Sequence, residues 1–412
     1  MAAVFKAVTP HFNALARVGY YAIITKTVDR RKLLLHNVYR VFISSLVLLY
    51  NLLHIIRAFQ SLHCAQKLVD TLFILLTTLN TLGKQLAFNL RQRRVNRIIT
   101  TWNAPTKFII KMILRCDSNY PYNAVVMRRI LYLYQCACFL CGTLWTIFPL
   151  MNRAIHGEAE LTAYFPYDTN VTPAFEITVV VMSVLITAQA YGNVTMDCIV
   201  VTFYSQAQTQ FTILRHNLEH LTDINKVDSF GGDHCDVIHE RFVKCVRHYE
   251  KIVWFVKEVE SIFSEAMAVQ FLVMVWVICM TLYKIVDLDI LSMEYISMVT
   301  YLMCMAAQLF IYCYYGTQLK YESSRVNEAT YSMRWRSLPP RLRRELLTMM
   351  ERGKWPVEPR TAYIIPHSLE TYITVSSVAI LLLFSRHSFL PRTASSILSK
   401  LKAIQCFLYK ME

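Results

Sequence analysis

Glycine is scarce in this chain, nine in 412 residues, and none falls in a glycine-rich cluster. No phosphate-cradling loop is therefore on offer. Charge is also thin: charged residues are 17% and hydrophobic ones 55%, outside the range of a typical soluble domain. No internal repeat and no low-complexity tract interrupts the chain. Met1 to Tyr21 carries Lys6 and Arg17 but no clean apolar core with a small-residue exit. No cleavable leader is expected, and the first apolar span itself directs insertion. Of the 12 cysteines, Cys136, Cys138, Cys141, Cys198, Cys279, Cys304 and Cys313 lie inside apolar stretches, which argues against a dense extracellular disulfide framework.

Chemistry-bearing clusters are equally sparse. Cys136, Cys138 and Cys141 share an apolar helix without a His or carboxylate partner, and pack there as small hydrophobes. His234-Cys235 with His239 lacks the second pair that would complete a four-ligand site. No Ser-His-Asp or Cys-His arrangement falls on one side of a membrane. The expectation is no enzyme, no metal and no cofactor. The formal charge of +15 sits mostly in connecting pieces, where anionic lipid headgroups attract it, so it requires no nucleic acid.

Long apolar runs are what the chain does have. Seven segments reach the roughly 20 residues that cross a bilayer: Val38–Ala58, Leu68–Leu90, Ile130–Leu150, Phe175–Phe203, Ile262–Ile285, Tyr295–Tyr315 and Tyr363–Phe384. Lys plus Arg number 6 before the first span, then 1, 9, 1, 7, 0 and 10 in the six successive loops. This alternation reads as N-terminus, second, fourth and sixth loops inside, and an odd number of crossings leaves the C-terminus outside. A basic tail with Arg386, Arg392, Lys400, Lys402 and Lys410 is the one discordant piece. The third loop carries Glu158, Glu160 and Asp168, and Asn170-Val171-Thr172 is an acceptor pattern for glycosylation at Asn170 on the outer side.

Helical periodicity continues past the membrane. Phe211, Leu214, Leu218 and Leu221 follow the fourth span, and Ile238, Phe242, Cys245, Tyr249, Val256 and Val259 lead back into the fifth. Each apolar stripe predicts a helix that projects inward and packs on its neighbour. In the sixth loop Pro339-Pro340 opens and Gly353 closes a further helix with Leu342, Leu346, Met349 and Met350 on one face. That face suits either the membrane surface or an intracellular helical cluster between subunits. Asp197, late in the fourth span, is a functional candidate by depth, with helix packing or capping as its alternative.

Phe310-Ile-Tyr-Cys-Tyr-Tyr-Gly316, Leu319, Glu322-Ser323, Tyr331, Trp335 and Leu338-Pro339, continuing through Pro366-His-Ser-Leu-Glu-Thr-Tyr372, resemble the late-sixth-span signature of insect odorant receptors. Tyr164-Phe-Pro-Tyr-Asp168, Pro173, Asp197, Leu214, His248 and Phe263 are similar to earlier marks of that family. The resemblance implies an all-α fold of seven transmembrane helices, N-terminus cytoplasmic and C-terminus extracellular. It implies an odorant-gated non-selective cation channel of the plasma membrane, in which a tuning subunit forms a hetero-tetramer with a co-receptor. Its partners are a small volatile odorant and membrane lipid. It divides the chain into a six-helix ligand-binding bundle (1–315, including helix extensions 204–261), an anchor region (316–362), a pore-lining helix (363–386) and an atypical tail (387–412). The ligand would lie among spans two, three, four and six, at Phe73, Thr77, Leu144, Trp145, Phe148, Met182, Ile186, Met298, Tyr301 and Met305. Thr374, Ser377, Leu381 and Phe384 would line the pore, and Trp335, Leu342, Leu346, Met349 and Met350 would anchor subunits. After Val378 the chain departs from the family's Ser-Tyr-Ser-like ending. A taste-type channel of the same superfamily is the alternative, and a metabotropic seven-helix receptor would need the opposite polarity.

Overall fold

The computed structural model describes residues 3–22, 30–63, 65–103, 119–156, 163–167, 171–222, 234–286, 288, 292–333, 335–361 and 365–386. Among these residues four helices come first: α1 (Ala3–Arg17), α2 (Arg30–Gln60), α3 (Ala65–Leu90) and α4 (Gln92–Asn103). Four longer ones follow: α5 (Asn119–His156), α6 (Ala174–Glu219), α7 (His234–Val286) and α8 (Met293–Ser332). Then come α9 (Pro340–Gly353), a two-residue antiparallel ribbon of β1 (Arg360–Thr361) and β2 (Ile365–Pro366), and α10 (Leu369–Arg386).

The expected spans fall on α2, α3, α5, α6, α7, α8 and α10. By length and composition α2, α5, α6, α7 and α8 qualify for crossing a membrane. On α3 the apolar run is diluted by Thr71, Thr78, Asn80, Thr81, Lys84 and Gln85, all buried toward the other helices. Leu34, Leu35 and Phe42 on α2, and Leu133, Phe139 and Ile147 on α5, face outward and are exposed. Such bands suit lipid, where every backbone polar group must be satisfied within its own helix. The seventh helix starts at Leu369, later than the expected Tyr363. Ile365-Pro366 is held in the ribbon, and Ser368 then caps the new helix by accepting from the Thr371 amide at 3.3 Å.

The 46 residues of α6 and 53 of α7 make rods of roughly 70 and 80 Å, more than twice the hydrocarbon thickness of about 30 Å. Their surplus lengths pair as the stripes predicted. Phe211, Leu214 and Leu218 meet Phe242, Cys245, Ile252, Val256 and Val259 in one continuous buried core. The helix expected after Pro339 is α9, which adds Leu342 and Leu346 to that core. Two helices have no counterpart in the sequence reading. Val8, Phe12 and Leu15 bury α1 against α6, and Val95, Ile98 and Ile99 bury α4 at the same end.

Within this extended part His248 is buried and its Nε2 lies 3.0 Å from Oε1 of Gln210. Burial, reinforced by the Lys251 charge, pushes its pKa down to about 4. The folded state therefore resists a proton that the unfolded chain accepts below about 6.5, so stability falls as pH drops from there toward 4. The linked loss is about 2 kcal/mol at pH 5. His248→Phe is expected to flatten the fall in melting temperature of detergent-solubilised protein between pH 7.5 and 5; an unchanged slope would assign it to other groups.

Candidate ligand cavity and its polar floor

Three large aromatics converge from three helices. Phe73 on α3 stacks on Trp145 of α5 with ring centroids 6.3 Å apart, and Tyr301 of α8 tilts against both at 5.1 and 5.9 Å. Ile74, Met182, Ile186 and Met305 close the cluster. The cluster separates two cavities. An inner one of about 110 Å³ is walled by α3, α5, α6 and α8. An outer one of about 260 Å³ lies toward the α7–α8 turn.

Phe73, Thr77, Trp145, Ile186, Tyr301 and Met305 line the inner cavity. Phe148, Met182 and Met298 line the outer one, which shares Phe73, Trp145 and Ile186. Leu144 lines neither and is half-buried on α5. The outer cavity is the more polar chamber, since Lys284 bonds Asp70 on its wall and Glu294 stands nearby. Cys138, Cys141 and Cys304 line the inner cavity, with the sulfurs of Cys141 and Cys304 3.6 Å apart.

Below the inner cavity, toward the α9 end, lies a buried ionic hub. Lys84 Nζ donates to Asp197 Oδ1 at 2.5 Å and to Asn193 Oδ1 at 2.7 Å. The Tyr312 hydroxyl reaches the same carboxylate at 2.5 Å, Gln270 donates to its other oxygen at 3.1 Å, and Gln308 also bonds it. Asp197 thus sits mid-helix and holds α3, α7 and α8 to α6; it caps nothing. A buried charge survives only when paired and hydrogen-bonded, which this one is several times over. Asn193 and Gln308 belong to both hub and cavity wall. Sequence reasoning singled out Asp197 but missed Lys84, the lone cation inside the second span and hence its natural counter-charge.

Of the expected pore residues, Thr374 is exposed and Ser377 half-buried, while the side chains of Leu381 and Phe384 lie outside the described set. Among the expected anchor residues Leu342 and Leu346 are buried, and Trp335, Met349 and Met350 pack at the core's edge. A groove between α7 and α9 runs past Trp254 and Met349, and His239 pairs with Glu345 across it at 3.3 Å. The side chains of His234 and Cys235, and the whole of Asn170, lie outside the described residues.

A polytopic helical bundle, apolar outside, with an aromatic-walled cavity above a buried ion pair, defines a multi-pass membrane protein. Comparison with known proteins makes the class specific. The family model described as 7tm odorant receptor matches residues 65–380. Odorant receptor 46a, isoform A, of Drosophila melanogaster is 25% identical over 193 residues, 47% of this chain and 49% of that one. Odorant receptor 82a of the same species is 22% identical over 262 residues, 61% of this chain and 65% of that one. The alignments thus span about half to two thirds of these relatives. Among solved structures, the olfactory receptor OR5 of Machilis hrabei in complex with eugenol superposes with a TM-score of 0.76 at 15% identity, over 92% of this chain and 96% of that one. The chain belongs to the 7tm odorant receptor family, and it is a receptor protein, not an enzyme.

Proposed function

We propose that this chain is a tuning subunit of an odorant-gated, non-selective cation channel, assembled with a co-receptor as a hetero-tetramer in the plasma membrane of an olfactory neuron. The observation that carries the reading is the Phe73–Trp145–Tyr301 cluster, which walls a cavity in the apolar part of the bundle. A volatile molecule is small and mostly apolar, and such a site offers large flat surfaces with a few polar groups. The Machilis hrabei receptor was solved with eugenol, and a ligand of similar size suits this cavity. In the proposed polarity the N-terminus and the α9 end are cytoplasmic, as the loop charges require. Residues 1–315 then form the ligand-binding bundle, 316–362 the subunit anchor, 363–386 the pore wall and 387–412 an atypical tail. Leu347 and Trp355, exposed on and just after α9, supply apolar surface for a neighbouring subunit.

Gating follows if the ligand binds the open arrangement better than the closed one. A tenfold shift in the open-to-closed ratio needs about 1.4 kcal/mol, within reach of one or two aromatic contacts. The test is current recording from cells expressing the chain with and without a co-receptor, against an odorant panel. Current is expected only with both. Trp145→Ala and Tyr301→Ala should each raise the half-maximal odorant concentration about tenfold while surface protein stays constant. Unchanged dose-response curves for both variants would remove the cluster from ligand recognition.

A further inference from the structure

Most polar side chains on the inner cavity's wall are already committed. Thr77 and Thr78 donate to the carbonyl of Ile74 at 2.8 and 3.0 Å, and Thr81 to that of Thr77 at 2.9 Å. Thr187 donates to the carbonyl of Ser183 at 2.7 Å. Asn193 accepts from Lys84, and Gln308 donates to Asp197. Among the buried polar atoms of the wall, those of two residues differ. Gln189 of α6 is 1% exposed, and neither its amide nitrogen nor its amide oxygen has a partner among the described residues. The hydroxyl of Tyr134 on α5 is likewise buried and unpartnered, and it lines the same cavity. Buried polar atoms of this kind are nearly always satisfied in a folded protein, so each is a place where a partner belongs.

We infer that Gln189 and Tyr134 form the polar anchor of the ligand cavity and that they select an oxygenated volatile, an alcohol, phenol, aldehyde or ketone, over the hydrocarbon of the same skeleton. The inference rests on the reading of this cavity as the odorant site. The chemistry is complementary. An amide supplies both a donor and an acceptor, and a phenol hydroxyl supplies either. A ligand hydroxyl can accept from or donate to either residue, and a carbonyl oxygen can accept from the amide N–H or from the phenol O–H. The apolar body of the ligand then rests on the Phe73, Trp145 and Tyr301 rings, which stand on the opposite side of the wall from the ionic hub. A hydrocarbon fills the same apolar space but leaves the Gln189 amide unpaired, and leaving a buried donor or acceptor unsatisfied is the larger penalty. Lys84 and Asp197 do not serve as the anchor, because neither lines the cavity and the two charges are paired with each other and bonded to Asn193, Gln270 and Tyr312.

The experiment uses matched probes: benzyl alcohol and benzaldehyde against toluene, and hexanol and hexanal against hexane. Currents are recorded from cells co-expressing the full chain and a co-receptor. Binding to the purified full chain is followed in parallel by its tryptophan fluorescence. In the wild type the oxygenated member of a pair is expected to act at a concentration about tenfold lower than its hydrocarbon. Gln189→Met, which keeps volume and removes both polar atoms, should bring that ratio close to one, the oxygenated member losing sensitivity and the hydrocarbon gaining it. Tyr134→Phe should do the same in part, and guards against a folding defect in the first variant. Trp145→Ala should weaken both members of every pair. A wild type that treats each pair alike overturns the inference. So does a Gln189→Met protein that keeps the ratio but melts lower, the result expected if Gln189 holds an ordered water only. Silence toward every probe overturns it too. If Trp145→Ala leaves all responses intact, the cavity itself is not the odorant site, an outcome distinct from failure of the anchor.

Discussion

Lys84→Met is expected to cost the folded protein about 3–5 kcal/mol, the usual penalty for stranding one member of a buried ion pair. The Asp197 carboxylate, 6% exposed, would be left among Gln270, Gln308 and Tyr312 without a counter-charge. Three donors can solvate an anion but not neutralise it, and no water-like medium is at hand to screen the remainder. The readout is surface protein by biotinylation together with melting temperature in detergent. Asp197→Leu should be comparably harmful, because it strands the Lys84 ammonium, which donates to Asn193 as well. The double variant Lys84→Met with Asp197→Leu should recover most of the loss, since removing both charges ends the penalty that each single change creates. A double variant as unstable as the singles would show that packing at these positions, and not the charge pair, holds the four helices.

The hub's place in the fold gives its loss a second consequence. Gln308 is at once a wall of the inner cavity and a ligand of the Asp197 carboxylate. One turn further along α8, Tyr312 bonds the same carboxylate and stands edge-on to His367, with ring centroids 6.1 Å apart, just before α10 begins. Cavity, hub and the last helix are thus joined by direct contacts along a single face of α8. Variants that retain enough protein at the surface are therefore expected to show altered odorant-evoked currents as well as lower abundance.

How much of this was legible in the sequence depended on whether a signal was local. The long rods α6 and α7 and the short α9 were readable, because an apolar stripe at helical spacing and a Pro–Gly pair are properties of neighbouring residues. Trp145 and Tyr301 were readable as large amphipathic aromatics within apolar helices. The hub was only half readable: Asp197 announces itself by its depth, but Lys84, Gln270, Gln308 and Tyr312 come from three other helices, and nothing local assigns them to it. Gln189 and Tyr134 stayed invisible for the opposite reason. A lone glutamine or tyrosine in a span looks ordinary until its neighbours are known to leave it without a partner. The helices α1 and α4 had detectable stripes, Val8–Phe12–Leu15 and Val95–Ile98–Ile99, but these sit in basic segments read for charge instead of periodicity.

Gly316→Ala is expected to damage the junction between α8 and α10 more than any other single methyl added to a glycine in these helices. A Cβ at Gly316 would stand 2.1 Å from the carbonyl oxygen of His367 and 2.6 Å from its Cβ. The first of these is a backbone atom and cannot rotate away. Nor is the facing segment free to retreat. The His367 amide donates to the Pro359 carbonyl at 3.0 Å, its ring stacks on Phe271 at 5.4 Å, and the Leu369 amide donates to Thr317 Oγ1 at 3.0 Å. Overpacking of this kind costs roughly 1–3 kcal/mol, and relief requires α8 and the start of α10 to move apart. Odorant-evoked current per unit of surface protein should therefore fall, while probe binding measured by tryptophan fluorescence is retained, because Tyr301 lies roughly 22 Å back along the same helix. Gly83→Ala is the matched control: on α3, with nothing within 4 Å of the added Cβ, it should be neutral or gain up to about 1 kcal/mol of helix stability. Equal currents from both variants would mean that the α8–α10 contact tolerates separation and plays no part in the proposed gating.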